Sequence, residues 1–597
     1  MKKKRTLVTA VILFLMLTQN VYAEGDTINI TVLPDEKLQT ISPYIYGVNI
    51  GTDLDAVSPG SLRLGGNRLT AYNWENNYSN AGSDYENTTD YYLVGSVPDD
   101  LKFKPGAPTL ALSYEAETRA IPYTLTTLQL QGYVSSKNPG RVSPEFAAPS
   151  KYWYEVKSRK GSAFEGSGDK TDEVVYMDEF INYIKEKLGD SSSPTGIKGY
   201  SLDNEPALWE STHSLIQSEQ ITCEEFIAKT VDMASMVKEM DAGAEVFGPA
   251  LFGYSAFDSF TDAKDWNDIK TSNPEYNWFI DFYLDEMKKA EDSIGTRIVD
   301  VLDVHYYTEQ KGVCGERSCN HYDDDGCIQA RFDGVRSLYE EGYLENSWIT
   351  STGAKFFPLI PKLQTSIDTF YPGTKLGFTE YNFGAGDHIS GGVTEALVLG
   401  VFIEHGVYFA DIWPIGDMAY QLSAINTFTN YDGNGNGFGD ILVKTDYQNE
   451  NLKVYSSIES SDPDSVKIIV INKNIHDSET VNINVSSEKA YDTAEVFALY
   501  GDSPEIRKLK RVEGIEGNAF DYTVEPLSVT EFVVKKAPEA VVTAAETAAE
   551  TASVAATIET GQPVRPFRVI SNIGLVLCGI GAIIAAIGFI VYKSKKK

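Results

Sequence analysis

The chain has 597 residues, 42% of them apolar and 12% aromatic, with 85 acidic against 51 basic side chains and a formal charge of −34. It is too long for one ordinary domain and apolar enough for a large core. Without the four basic residues near the start and the four lysines at the end the remainder carries −42. So acidic a surface repels phosphate backbones, which excludes nucleic acid as a partner and leaves a neutral polysaccharide unaffected.

In chain order, the basic stretch Lys2 to Arg5, the apolar run Leu7 to Leu17 and the exit Val21-Tyr22-Ala23 predict a secretory leader over 1–23, cleaved before Glu24. Residues 24–41 carry an opening strand near Ile28 to Leu33 that reads as part of a later β-domain. From 42 to 420, apolar strands alternate with amphipathic helices, the pattern of an α/β fold with a parallel sheet. Strands are expected at Tyr44 to Asn49, Ser61 to Leu64, Thr127 to Val134, Gly199 to Leu202, Val246 to Leu251, Val301 to Tyr306, Lys375 to Thr379 and Tyr408 to Trp413. Eight such strands suggest a closed (β/α)8 barrel. Helices with i, i+3, i+4 apolar spacing are expected at Asp178 to Leu188, Cys223 to Met240, Trp278 to Ile294, Leu359 to Phe370 and Thr394 to Glu404. The Asn- and Tyr-rich stretch from Asn67 to Leu125 reads as a loop on the catalytic face. Short alternating strands over 421–536 predict an all-β sandwich domain.

Residues 537–568 are rich in Ala, Glu and Thr and read as a linker. Residues 569–592, apolar apart from Ser571 and Asn572, are long enough at about 1.5 Å per residue to be a single transmembrane helix, and lysines stop it in a basic tail at 593–597. The expected location is therefore the outer face of a cell membrane, single-pass, with the C-terminus in the cytoplasm.

Five cysteines are few for an exported protein. Cys578 falls in the apolar span, while Cys314, Cys319 and Cys327 cluster with His321 and Asp323 to Asp325, and Cys223 stands apart. Their C-x4-C-x7-C spacing matches no common zinc pattern, so a local disulfide in a loop insertion is expected, its pairing open. The string DGNGNGFGD from Asp432 has oxygens at alternate positions like a calcium loop, but it lacks the terminal glutamate and reads equally as a glycine-rich turn.

In a barrel of this type the active site lies at the C-terminal ends of the strands. Arg63 ends the second strand, Asn204 and Glu205 in GYSLDNEP the fourth, His305 and Tyr307 the sixth, Glu380 in KLGFTEYN the seventh and Trp413 the eighth. Two carboxylates flanking one bond supply a proton donor for a leaving oxygen and a second group that attacks the sugar carbon or activates water against it, which is glycosidase chemistry. Trp74, Trp209, Tyr381 and Trp413 are candidates for stacking on the apolar faces of sugars, with core packing the alternative for each.

The chain resembles glycoside hydrolase family 44 in ISPYIYGVN at Ile41 to Asn49, LRLGGN at Leu62 to Asn67, YNWENNYSNAGSDY at Tyr72 to Tyr85, YSLDNEPALW at Tyr200 to Trp209, VLDVHYY, and TEYNFGAGDHISGG at Thr379 to Gly392. The resemblance covers most of the chain between leader and linker. It implies a barrel with a β-sandwich, endo-cleavage of β-1,4-glucans such as cellulose or xyloglucan, and a retaining mechanism with Glu205 as acid and base and Glu380 as nucleophile. It further implies that Arg63 and Tyr307 steady the Glu380 anion, that Asn204 holds a sugar hydroxyl, that His305 orients its neighbours, and that catalysis needs no cofactor although family members can bind calcium. Tyr85 and Tyr306 stand where the family pattern has Trp, and the insertion from Glu309 to Arg331 is foreign to it. Xylan or glucomannan as substrate, and a binding protein without turnover, are the competing expectations.

Overall fold

In the computed structural model, which describes residues 27–318 and 324–537, the apolar runs between 42 and 413 form eight short parallel strands closed into a barrel. They are Gly47–Asn49, Leu62–Leu64, Thr124–Leu128, Gly199–Leu202, Glu245–Leu251, Val301–Tyr307, Lys375–Asn382 and Phe409–Ile412. The eighth pairs with the first, Asp411 opposite Gly47, which removes both sheet edges.

Alternation along each strand sorts side chains between the helices outside and the barrel interior. The interior is graded. Its lowest layer is apolar, with Tyr123, Leu125, Phe247, Val301 and Phe409 packed together. Above it Asp303 accepts from Thr379 Oγ1 at 2.7 Å and Asp411 from Ser61 Oγ at 2.5 Å. The top layer holds the charged side chains of the site.

Most expected helices form, Cys223–Met240 and Leu359–Phe370 with the bounds read from the sequence. The first has a capping box between Thr222 and Glu225. Three elements differ, the first being the helix Ala107–Arg119, which lies inside the stretch read as a loop. The third strand is Thr124–Leu128, and Tyr133–Ser135, read as its continuation, belongs instead to a small sheet with Trp153–Lys157 and Val174–Tyr176. The helix expected from Thr394 begins at Ile389, because Gly391 and Gly392 sit inside it rather than before it.

The sandwich is a ten-stranded sheet folded on a core of Ile30, Val32, Ile468, Val481, Ile483, Val496 and Phe532. Its opening strand, Ile28–Thr40, is longer than expected and pairs with Ile441–Tyr447 and Glu479–Val485. Between barrel and sandwich strands lies the helix Ala419–Thr429, where the sequence suggested the β-pattern had begun.

The expected fold class needs one correction: no helix of the described residues is long and apolar enough to cross a membrane, so the described residues form a barrel plus a sandwich. The segment read as that helix, 569–592, lies outside the described residues, as do the leader, the basic tail and all of the linker beyond Ala537.

In the Asp432 turn the carboxylate accepts from the Asn434 amide N–H at 2.9 Å and from Asn436 Nδ2 at 2.8 Å, the internal bonding of a glycine-rich turn.

Candidate active site

Arg63 points up the barrel from the second strand, fully buried, and its guanidinium organises the site. Nη1 donates to Glu380 Oε1 at 2.8 Å and to Asn49 Oδ1 at 2.9 Å, and Nη2 donates to Asn204 Oδ1 at 3.0 Å. The LRLGGN motif follows from this crowding. A Cβ on Gly65 would stand 2.1 Å from the Arg63 guanidinium carbon, and Gly66, at φ +93°, lets its N–H reach Asn204 Oδ1 at 3.2 Å beneath the Trp413 ring.

Glu205 is delivered by a strained turn. Asp203 and Glu205 both adopt left-handed backbone, φ 65° and 45°, which costs non-glycine residues roughly 1–3 kcal/mol each. The Asp203 carboxylate holds the turn in place, accepting from Thr70 Oγ1 and Leu130 N at 2.6 Å each, and Glu205 N donates to Ala250 O at 3.0 Å. Asp203 stands in the quoted motif but carries no signal of this role, because its partners are remote in sequence.

Glu380 depends on a bulge. The sixth and seventh strands pair Val304 with Phe378 and then His305 with Glu380, skipping Thr379. Thr379 and Glu380 therefore both face inward, while Phe378 and Tyr381 both pack outward on Phe402. The bulge brings the Glu380 carboxylate under Tyr307, whose hydroxyl donates to Oε2 at 2.9 Å. His305 Nδ1 bonds Glu205 Oε1 at 2.9 Å and lies 3.5 Å from Glu380 Oε2.

Burial by itself would raise the Glu380 carboxyl, but the charges of His305 and Arg63 and the hydrogen bonds from Arg63 and Tyr307 outweigh it and hold the group below the ordinary carboxylate range. Burial lowers His305, yet the two glutamates win and raise it. Burial, then Glu380, raises the Tyr307 hydroxyl well above its usual value, so it remains a donor.

One ligand atom from each of Glu205, His305 and Glu380 lies within 4.8 Å of the others, a spacing a divalent ion could use. Arg63 already supplies positive charge 2.8 Å from Glu380 and would repel such an ion.

The aromatic candidates divide. Trp413, half-buried over Gly66, lies in the site, its carbonyl accepting from Asn382 Nδ2 at 2.8 Å. The other three are corrected to core positions. Trp74 is buried and stacked on Phe180, Trp209 is buried edge-on to Phe226, and Tyr381 faces helix Ile389–Glu404 and donates to Glu395 Oε1 at 2.7 Å. None of these three presents a ring face to the cleft.

Other aromatics line the cleft. A cavity of about 270 Å³ opens beside Glu205, lined by Phe252, Tyr254, Tyr307 and Trp348 with Glu309 and Arg317. Trp348 is 44% exposed and meets Tyr254 edge-on at 5.3 Å. Of these rings only Tyr307 ends a strand; Phe252 lies just past one, and Tyr254 and Trp348 open short helices, so a search of strand ends misses them.

A strained acid-bearing turn, a buried arginine and a bulged glutamate on one barrel face accompany a close sequence relationship. Residues 77–310 match the model of glycoside hydrolase family 44. Endoglucanase A of Paenibacillus lautus is 41% identical over 524 residues, covering 86% of this chain and 74% of that protein. The chain belongs to glycoside hydrolase family 44. Beta-mannanase/endoglucanase A of Caldicellulosiruptor saccharolyticus is 42% identical over 515 residues, 83% of this chain, but the chain spans only 38% of that relative's length. A solved family 44 xyloglucanase of Paenibacillus polymyxa superposes with a TM-score of 0.83 at 38% identity, over 86% of this chain and all of that one. As a family 44 glycoside hydrolase the protein needs no cofactor for catalysis.

Proposed function

We propose that this family 44 enzyme cleaves β-1,4-glucan backbones internally, with cellulose-type chains or xyloglucan as substrate, by double displacement at Glu205 and Glu380. The observation that carries the mechanism is the spacing. Carboxylates about 5–5.5 Å apart suit direct attack, whereas an interposed water needs roughly 6.5–9.5 Å, and the nearer spacing is supported by one oxygen of Glu205 and one of Glu380 lying within 4.8 Å of each other with His305 Nδ1 in contact with both.

Glu380, held as an anion by Arg63 and Tyr307, attacks the anomeric carbon while Glu205 protonates the leaving oxygen. Its bond to His305 turns one Glu205 oxygen away and presents the other to the sugar. Asn204, fixed by Arg63, offers its amide Nδ2 to the 2-hydroxyl, a contact that strengthens as the ring gains positive charge. Water then enters, Glu205 takes its proton, and the glycosyl ester on Glu380 opens with net retention. The leaving-side sugar occupies the pocket of Tyr254 and Trp348. Such polymers are met outside the cell, which agrees with the expected leader.

The glucan preference rests on the relatives' names, endoglucanase in one and xyloglucanase in another. A mannan activity is favoured only by the relative of which this chain spans 38%. Proton NMR of the first product from cello-oligosaccharides tests the mechanism: β-anomer appears first, and initial α-anomer sinks the double displacement. Reducing-sugar release across soluble glucans, xylans and mannans tests the substrate, with action confined to xylan or mannan overturning it.

A further inference from the structure

Three of the five cysteines fall in the insertion that follows the sixth strand, and the structure brings two of them together. Cys314 Sγ and Cys327 Sγ lie 3.4 Å apart without a bond between them. We infer that Cys314 and Cys327 are the site of an oxidative cross-link, a disulfide that clamps the loop presenting Glu309 and Arg317 to the pocket beside Glu205.

Both ends of that link are already anchored. The loop is folded on itself, with Gly312 N donating to Glu316 O at 2.9 Å and Ser318 N to Gln310 O at 2.8 Å. A Cβ on Gly312 would come within 2.3 Å of Cys327 Sγ, so the loop backbone lies directly on the buried thiol. Cys327 sits in the first turn of helix Asp325–Arg336, its N–H held by the Asp324 side chain at 3.1 Å. One turn on, Arg331 Nη2 donates to Ser318 O at 3.1 Å and ties helix to loop a second time. The sulfurs have only to close from 3.4 Å to about 2.05 Å for a bond to form.

The chemistry is thiol–disulfide exchange with a small-molecule disulfide such as oxidised glutathione. Cys314 is exposed and Cys327 buried, so Cys314 reacts first. Its thiolate attacks one sulfur of the external disulfide, forming a mixed disulfide and releasing one small thiol. Cys327 gives its proton to solvent, attacks the Cys314 sulfur and expels the second small thiol. The two protein thiols lose two electrons and the external disulfide gains them.

What the clamp holds is a wall. Arg317 pairs with Glu309 at 3.0 Å, and Trp348 Nε1 donates to Glu309 Oε2 at 3.2 Å, which joins the cysteine loop to the exposed ring of the pocket. The catalytic consequence rests on the reading that this pocket receives the leaving-side sugar; the cross-link itself does not.

The test has two arms. Peptide mapping of the full chain under non-reducing conditions, after equilibration with oxidised glutathione, is expected to recover a linked pair containing Cys314 and Cys327. A link from either to Cys319 or Cys223, or recovery of both as free thiols, overturns the assignment. In the second arm, reduction is expected to lower kcat/KM roughly two- to fivefold, through KM, for cello-oligosaccharides that extend past the cleaved bond. Aryl cellobiosides, which place no sugar there, are unaffected, as is the C314S/C327S double variant, which already behaves like the reduced enzyme. An equal effect on aryl cellobiosides, or none on the longer substrates, overturns the clamp. Failure to hydrolyse either substrate strikes the proposed function instead and leaves the cross-link to be decided by the peptide map.

Discussion

Glu380 in the barrel and Glu531 in the sandwich are both strand glutamates taken out of water, and their carboxyls are shifted in opposite directions. The Glu380 side chain is 7% exposed and is met by Arg63, Tyr307 and His305. Glu531 is wholly buried where the sandwich sheet faces the barrel, opposite Ile469 and Phe497, and neither of its oxygens has a hydrogen-bond partner among the described residues. Burial raises Glu531 well above the usual carboxylate value, and Lys467 offsets little of it. The same desolvation acts on Glu380, and there the surrounding cation and donors reverse it. Depth alone therefore does not set which way a buried carboxyl shifts; the partners around it do.

The largest expected effect is on chemistry. Glu380→Gln should lower turnover on glucan by at least roughly a thousandfold while binding, measured by calorimetry, persists. Retained turnover would move the nucleophile elsewhere and end the contrast. Next, Arg63→Met removes the cation that distinguishes the two glutamates. It should cost about 10²-fold or more in kcat/KM and move the acid limb of the pH–rate profile upward, because the Glu380 carboxyl is no longer held down. It also leaves a buried charge unpaired, worth about 3–5 kcal/mol of stability. An unmoved acid limb would mean that some other group ionises there.

Stability against pH separates the pair by sign. A carboxyl lowered on folding, as Glu380 is, stabilises above its unfolded pKa and loses that contribution as pH falls through the folded one. Glu531, raised on folding, has the opposite slope: its unfolded form ionises first, so stability is lost as pH rises above the unfolded value. Glu531→Gln should thus be nearly neutral at acid pH and progressively stabilising above it, by up to about 1.4 kcal/mol per pH unit, in urea denaturation series. A variant less stable at neutral than at acid pH, relative to the native chain, would show that Glu531 folds as an anion. The smallest effect belongs to Tyr381→Phe, which removes the hydroxyl facing Glu395, a carboxyl pushed up to about 8 by burial. About 1 kcal/mol of stability should go, with activity within roughly twofold; a tenfold loss of kcat/KM would place Tyr381 on the sugar after all.

Much of this was legible in residue order because strands and helices announce themselves locally. Gly199–Leu202 and Cys223–Met240 stand where their apolar spacing put them, and each strand-end candidate with a charged or amide group, Arg63, Asn204, Glu205, His305, Tyr307 and Glu380, lies in one hydrogen-bonded cluster. Aromatics were read less well. Trp74 and Trp209 lie within the motifs in sequence but point into the core, since a ring's hydrophobicity suits packing and sugar stacking equally.

By itself, the sequence determined that eight parallel strands alternate with helices, that a β-domain follows, and that two glutamates end strands on one barrel face. Tertiary structure decided which neighbouring side chain enters the cleft. Strict alternation would turn Glu380 outward with Phe378, and only the bulge opposite Val304 and His305 turns it in and Tyr381 out. A bulge arises from the pairing of two strands that lie about seventy residues apart, so no local pattern of apolar and polar residues encodes it.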